Sequence, residues 1–309
     1  MMTGLSEITF FVKQTAKESG FDDCGIAKAT HLHPDEAYLK KWISDGFHAG
    51  MKYMESHTEK RVDPGKLFDG ARSVVVVLLN YYPSETQQKD TFIVSKYAYG
   101  TDYHDVLKEK LQQVFSKIQR SIPEIKGRIF TDSAPVLERA WAREAGLGWI
   151  GKSGLLITKK LGSYVFIGEL ILNIDLDYDM PVNEYCGTCT RCMDACPTKA
   201  IISPGIVDSN KCISYHTIES KEQMPSSIKS HLKNRIFGCD TCQDVCMWNN
   251  KAKANTIKDF SPKDYIYWDK EQWNKLTNNN FKILFAKTPF YRTGYKKLKD
   301  NIIQAYILS

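Results

Sequence analysis

The run YCGTCTRCMDACPTKA, residues 185–200, sets Cys186, Cys189, Cys192 and Cys196 at C-x2-C-x2-C-x3-C-P, the spacing with which bacterial ferredoxins hold 4Fe-4S clusters. Three thiols separated by two residues each can turn inward around one cubane from a tight loop, after which Pro197 diverts the chain. Further on, Cys212 and then Cys239, Cys242 and Cys246 supply four more thiols, so eight of the nine cysteines fall into two sets of four. In two-cluster ferredoxins the fourth cysteine of a run serves the other cluster. Pseudo-symmetry therefore assigns Cys186, Cys189, Cys192 and Cys246 to one 4Fe-4S cluster, and Cys212, Cys239, Cys242 and Cys196 to the second.

Zinc explains the pattern less well, because a tetrahedral site takes two C-x2-C pairs and has no use for a further cysteine three residues on. A disulfide framework fits worse still, since the cysteines cluster in one segment of a long chain with no secretory signal before them. Cys24 stands outside the set and reads as a small buried residue. With 309 residues there is room for two domains with a sizeable core in at least one. No stretch approaches the roughly 18 consecutive apolar residues of a membrane span, so the expectation is a cytoplasmic protein whose thiols stay reduced. A net charge of +6 is modest, and where the basic residues sit matters more than the total.

Apolar residues at Leu5, Ile8, Phe11, Val12 and Ala16 recur at helical spacing before Gly20, which predicts an amphipathic helix over 5–19. SVVVVLLNYY, residues 73–82, is a continuous apolar and β-branched run bounded by Gly70 and Pro83, as in a central strand buried on both faces. A helix over 103–122, a short strand from Gly127, a helix over 135–145 with Pro135 in its first turn, and a strand in SYVFIGELILNI from Ser163 follow. This alternation argues for an α/β sandwich over roughly the first 180 residues. The predicted divisions are 1–176 for this part, 177–250 for a ferredoxin-like module, and 251–309 for a basic and aromatic extension ending in a helix.

Two clusters alone are a relay, and two classes of function remain: an enzyme that spends the electrons on a substrate, or an electron carrier whose first domain is a docking module. In TDSAPVLERAWAREAGLGWIGKSGLLIT, Asp132 sits where strand gives way to helix, the place where α/β sites form. On the residues alone a helix N-cap at Asp132 or Ser133 is preferred over a proton-transferring carboxyl. GLGWIG, residues 146–151, reads G-x-G-x-x-G but follows a helix and precedes a strand, the reverse of a dinucleotide site. It reads instead as a tight turn or a close approach of backbone to a flat cofactor. DYHDVL at Asp102 resembles the D-x-H-x-x-G loop of some cobalamin enzymes, but Leu107 replaces the glycine, so His104 reads as a helix-start residue that, with Tyr103, could face a pocket.

Several ordered motifs together carry a resemblance: KRVDP at Lys60, YAYGTDYHDVLKEKL at Tyr97, the TDSAPVLERAW stretch, the first cysteine run, KCISYHTIE at Lys211 and GCDTCQDVC at Gly238. On these, nearly the whole chain resembles the epoxyqueuosine reductase family. The resemblance implies an α+β protein: a nitroreductase-like α/β cobalamin-binding domain followed by a ferredoxin-like domain with two 4Fe-4S clusters. It implies that electrons pass through the clusters to cobalamin, and that the epoxide of a modified wobble base in tRNA is reduced to the alkene with loss of water. It puts Asp132 at the family's proton donor, which reverses the preference for a cap, and burial beside the corrin is expected to keep that carboxyl neutral. For the corrin it points to Arg61, Tyr97, Ser153, Thr158, Ser214 and Asp240, with Arg61 and Ser153 as donors to peripheral amides or phosphate.

The expected partner is the anticodon loop of a tRNA, whose splayed bases are held by stacking and phosphate contacts. Candidate contacts are Lys229, Lys233, Arg235, Lys251, Lys253, Tyr291, Arg292, Tyr295, Lys296, Lys297 and Lys299, although each cluster taken singly reads first as a solvated face. Trp248, Trp268 and Trp273 read as core. An unidentified low-potential electron donor and a monomer complete the expectation. Two departures stand out: Met247 follows the last cysteine where many relatives carry Pro, and many relatives continue into helical repeats beyond the point where this sequence reaches Ser309. A reductive dehalogenase is the enzyme rival, and a two-cluster electron-transfer protein without cobalamin is the other.

Overall fold

A computed structural model describes residues 4–88 and 90–307. Four strands form the main sheet: β1 (Asp23–Lys28), β2 (Ser73–Asn80), β3 (Gly127–Phe130) and β4 (Val165–Leu172), in the order β1-β2-β4-β3. Every neighbouring pair is antiparallel. The continuous apolar run of β2 is explained by its place: all eight residues are buried. Val75, Val77 and Leu79 pack into one core with helix α1 (Leu5–Glu18) and helix α2 (Tyr103–Ser121). Val74, Val76 and Leu78 pack into a second core with helix α3 (Glu138–Glu144). The sheet therefore has helices on both faces although its strands are not parallel.

α3 starts three residues later than the 135–145 reading. Thr131 to Val136 form a tight turn instead, with Ser133 N–H donating to Thr131 O at 2.5 Å and Val136 N–H to Ala134 O at 2.8 Å. Asp132 takes the left-handed conformation at φ 47° within that turn. Leu137 occupies the N-cap position without a side-chain bond, so neither Asp132 nor Ser133 caps the helix. GLGWIG builds a hairpin in which Trp149–Ile150 pairs antiparallel with Leu156–Ile157. Gly148 is required there, because a Cβ would lie 2.2 Å from Ile157 O.

In the cysteine-rich segment the short helices Arg191–Ala195 and Thr241–Asp244 pack against each other, one from each half-motif. The C-terminal residues are no loose tail. Trp273, Phe285, Phe290, Leu298 and Ile302 share a core with Phe92, Val94 and Tyr99 and with Ile236 and Phe237. Ile93–Val94 pairs in parallel with Arg235–Phe237 beneath it. Helix α4 (Tyr295–Ile307) is pinned by Asn301, whose buried Nδ2 donates to Thr217 O at 2.8 Å and Ile236 O at 3.0 Å. Trp273 is fully buried, Trp268 packs edge-on against it at 5.1 Å, and Trp248 meets Trp149 at 4.9 Å. No described helix is long and apolar enough to cross a membrane.

Candidate active site and cluster sites

The eight thiols fall into two groups in space. Cys186, Cys189, Cys192 and Cys246 line one cavity together with Lys152, Ser153, Arg191 and Trp248. Cys196, Cys212, Cys239 and Cys242 are electrostatic neighbours of one another. Donors already point at sulfur: Ala200 N–H to Cys196 Sγ at 3.2 Å, Trp149 Nε1–H to Cys186 Sγ at 3.5 Å, and a Thr241 hydroxyl 3.3 Å from Cys239 Sγ. Burial, then the other thiols, push Cys212 up to about 11 and Cys242 well above the ordinary range. Thiolates crowded in this way need a positive counter-charge, which iron supplies, so the donor set fits the clusters.

The second centre lies where β3 ends. Thr131 is buried, and its hydroxyl donates to Ile167 O at 3.1 Å, which anchors the turn that presents Asp132. Asp132 Oδ2 accepts from the Tyr103 hydroxyl and lies 3.1 Å from His104 Nε2. Behind it, His104 Nδ1 lies 2.7 Å from Oδ1 of Asp102, the residue that caps α2. A ring flanked by two carboxylates donates from both nitrogens, which makes it an imidazolium. Burial works against that charge, but Asp102 and Asp132 outweigh it and raise His104 to about 9.

For Asp132 the contest runs the other way from the expectation of a neutral acid. Burial pushes its carboxyl up, yet the bonds from His104 and Tyr103, with the charge of Arg292, hold it below the ordinary value. At neutral pH the single proton of this pair therefore rests on the imidazole. The Asp132 side chain is still 42% exposed, so a ligand can reach it. Tyr103 is fixed by stacking between Phe166 and His104, both at 4.2 Å, and Tyr97 meets it edge-on at 6.1 Å.

The candidate corrin contacts come from separate stretches of the chain. Arg61 is buried, donates from Nη2 to Tyr53 O at 2.7 Å and leaves its Nε without a partner. Tyr97 feels the charges of both Asp132 and Asp240, and Asp240 in turn acts on Cys242 of the second thiol group. Ser153 belongs to the cavity of the first group. Ser214 follows Cys212 in the helix Ile213–Ile218. Two candidates already have structural work: Asp240 accepts from Lys96 N–H at 2.8 Å, and the Thr158 hydroxyl accepts from Leu161 N–H at 2.8 Å in a hairpin turn.

Of the basic and aromatic candidates, Lys233, Lys251, Lys253, Tyr291 and Lys296 are exposed and Lys229 is half-buried. Four are tied into the fold: Arg235 donates to Thr241 Oγ1 at 2.9 Å, Tyr295 to Leu276 O at 3.2 Å, Lys299 to Asn274 O, and Lys297 is half-buried. Arg292 stands apart from both sets, since it pairs with Glu219 at 2.9 Å within reach of Asp132, Tyr53 and Tyr103. The C-terminal segment thus contributes a cation to the Asp132 recess. Sequence reasoning missed Tyr53, Glu138 and Glu169. Glu138, whose carboxyl accepts the Asp132 backbone N–H, is raised to about 8 by burial and then by Asp132. The signal for Glu169 was a lone acid in the apolar strand VFIGELIL.

Residues 61–133 match the family described as epoxyqueuosine reductase QueG, DUF1730, and residues 185–249 match a 4Fe-4S double cluster binding domain. The epoxyqueuosine reductase of Leadbetterella byssophila is 50% identical over 94% of this chain and 96% of its own length. That of Escherichia coli is 38% identical over 89% of this chain and 76% of its own length. A crystal structure of epoxyqueuosine reductase with an epoxyqueuosine-modified tRNA-Tyr stem loop aligns with a TM-score of 0.92 at 32% identity, over 98% of this chain and 81% of that one. A catabolic reductive dehalogenase shares only the fold, at 15% identity and a TM-score of 0.52, over 84% of this chain and 34% of its own. With thiols in two groups, an accessible acid at the end of a strand and relatives at this identity, the chain belongs to the epoxyqueuosine reductase family.

Proposed function

We infer that the chain reduces epoxyqueuosine in the anticodon loop of tRNA to queuosine, the last step in making that base, with Asp132 as the proton donor. The observation that carries this reading is the Asp132 carboxyl, open to a ligand yet held by Tyr103 and by the protonated His104. The pair acts as a unit with one mobile proton. As the epoxide oxygen takes on charge, one proton passes from His104 Nε2 through Asp132 Oδ2 to that oxygen, and a second, drawn from solvent once the pair is recharged, lets it leave as water, so that two protons and two electrons are consumed. Arg292 and Tyr103 steady the carboxylate that remains. Bound cobalamin, fed by two 4Fe-4S clusters, supplies the electrons when the holoenzyme is assembled.

In this reading Cys186, Cys189, Cys192 and Cys246 hold one cluster and Cys196, Cys212, Cys239 and Cys242 the other. The shared cavity of the first four and the mutual repulsion of the second four support that division. Arg61, with its spare Nε, and Ser153 suit the periphery of the corrin, and Tyr97 suits its edge. Ser214, Asp240 and Thr158 complete the proposed set, the last two through groups that already carry a bond. The exposed lysines and Tyr291 would meet the tRNA backbone and bases. A low-potential donor outside the chain loads the clusters, and the protein acts as a monomer.

The test is anaerobic reconstitution with iron, sulfide and cobalamin, followed by nucleoside analysis of tRNA carrying epoxyqueuosine under a strong chemical reductant. Wild type converts the epoxide to the alkene, whereas Asp132→Asn keeps its iron and cobalt and loses turnover. Conversion by Asp132→Asn at the wild-type rate would remove Asp132 from the reaction.

A further inference from the structure

Three carboxyl groups run from the interior of the sheet to the active site. Glu169, on the central strand β4, is 0% exposed, and neither of its carboxyl oxygens has a hydrogen-bond partner. Its strand neighbours two residues away, Ile167 and Ile171, belong to the core beneath α3, so Glu169 faces that helix. Glu138 is the first residue of α3, and its carboxyl accepts the backbone N–H of Asp132. Asp132 is the third, in the left-handed turn conformation, which is uncommon for a residue other than glycine.

These three cannot all be ionised. A buried carboxylate without a donor is strongly disfavoured, and like charges in one site drive protons onto the innermost members. The outermost group, Asp132, has His104, Tyr103 and Arg292 to support its charge. Glu138 has only the Asp132 N–H and the charges of Arg139 and His104, while burial and then the Asp132 carboxylate oppose its ionisation, and Glu138 and Asp132 in turn keep the buried Glu169 neutral. The Arg139 guanidinium is itself turned away, donating to Gly154 O. A neutral Glu138 accepts the Asp132 amide without repelling the Asp132 carboxylate, and an ionised one sets two negative charges against each other in the same turn.

Taking Asp132 as the proton donor, we propose that Glu138 is its positioning residue and that it works only in the protonated form, which its burial and the Asp132 carboxylate beside it maintain. Glu138 never touches the substrate. It sets where Asp132 stands, so its loss lowers turnover and leaves tRNA affinity alone. Misplacement of a catalytic group by about an ångström costs on the order of 10²-fold in rate.

The experiment compares wild type with Glu138→Gln, which keeps a carbonyl acceptor but has no charge to acquire, and with Glu138→Ala, which has no acceptor. Hydrogen exchange of the 131–137 segment, corrected for the intrinsic rate, is followed in the protein without substrate as pH rises through about 8. Wild-type protection should fall across that range, Glu138→Gln should stay protected throughout, and Glu138→Ala should be unprotected at every pH. In the holoenzyme, Glu138→Ala should lose about 10²-fold in kcat at unchanged KM, and Glu138→Gln should retain kcat. Parallel pH curves for wild type and Glu138→Gln, or a fully protected Glu138→Ala, would overturn the proposal. Exchange needs no turnover, so this outcome is separate from any failure of the tRNA reaction.

Discussion

The protonated His104 is the sharpest electrostatic claim, and it can be measured directly. A rise from 6.5 to about 9 corresponds to about 3.4 kcal/mol of preference for the charged ring. The share owed to each neighbour follows from exposure. Asp102 is 23% exposed and 2.7 Å from Nδ1, whereas Asp132 is 42% exposed and 3.1 Å from Nε2. Solvent screens the Asp132 contact more. Asp132→Asn should therefore lower the His104 value by about one unit, roughly 1.4 kcal/mol, and Asp102→Asn by more. Because the folded value lies above the unfolded one, the stabilisation is complete below about 6.5 and lost as pH rises through about 9. Nitrogen-15 histidine NMR across that range resolves the seven histidines, with His104→Gln to assign the signal. A His104 that titrates at its ordinary value, or one that Asp132→Asn leaves unchanged, would refute the reasoning.

The crossed ligand sets predict an asymmetry between two single changes. Cys246→Ser should disturb the spectrum of the cluster held by Cys186, Cys189 and Cys192, and Cys196→Ser that of the other, although Cys196 is contiguous with the first run; paramagnetic resonance of the reduced proteins distinguishes them. Asn301→Leu should cost about 1–3 kcal/mol in denaturant unfolding, because it strands the carbonyls of Thr217 and Ile236 in a dry interface. An unchanged midpoint would mean that water reaches those carbonyls.

What sequence reveals depends on whether the determining contacts are local. Cysteine spacing is local, and so is the apolar run of β2, since a strand with no polar side has no solvent face to show. The start of α3 is not. Pro135 fits a first helical turn, but the bonds of Ser133 and Val136 to residues two positions back, with Asp132 at positive φ, hold the chain in a turn until Leu137. The anchoring groups lie on β4 and α2, outside any window that includes Asp132. Arg292 was legible as a basic residue but not as a member of the acid recess, because its partner Glu219 sits 73 positions earlier. The neutral-acid reading of Asp132 weighed burial and left out the imidazolium beside it.

The pairing of the 92–99 segment with the C-terminal core has a consequence for synthesis of the chain. The Tyr265 hydroxyl that donates to Ala98 O is separated from it by 167 residues. At about 5–20 residues per second, the ribosome takes roughly 10–30 s to cover that interval. For most of it Phe92, Val94 and Tyr99 have emerged without any of the later residues that bury them, the first of which, Ile236 and Phe237, are made only near its end. All eight clustered cysteines are made inside the same interval. The cysteines and this apolar stretch thus wait together in the half-made protein, the first for their metal and the second for the C-terminal core.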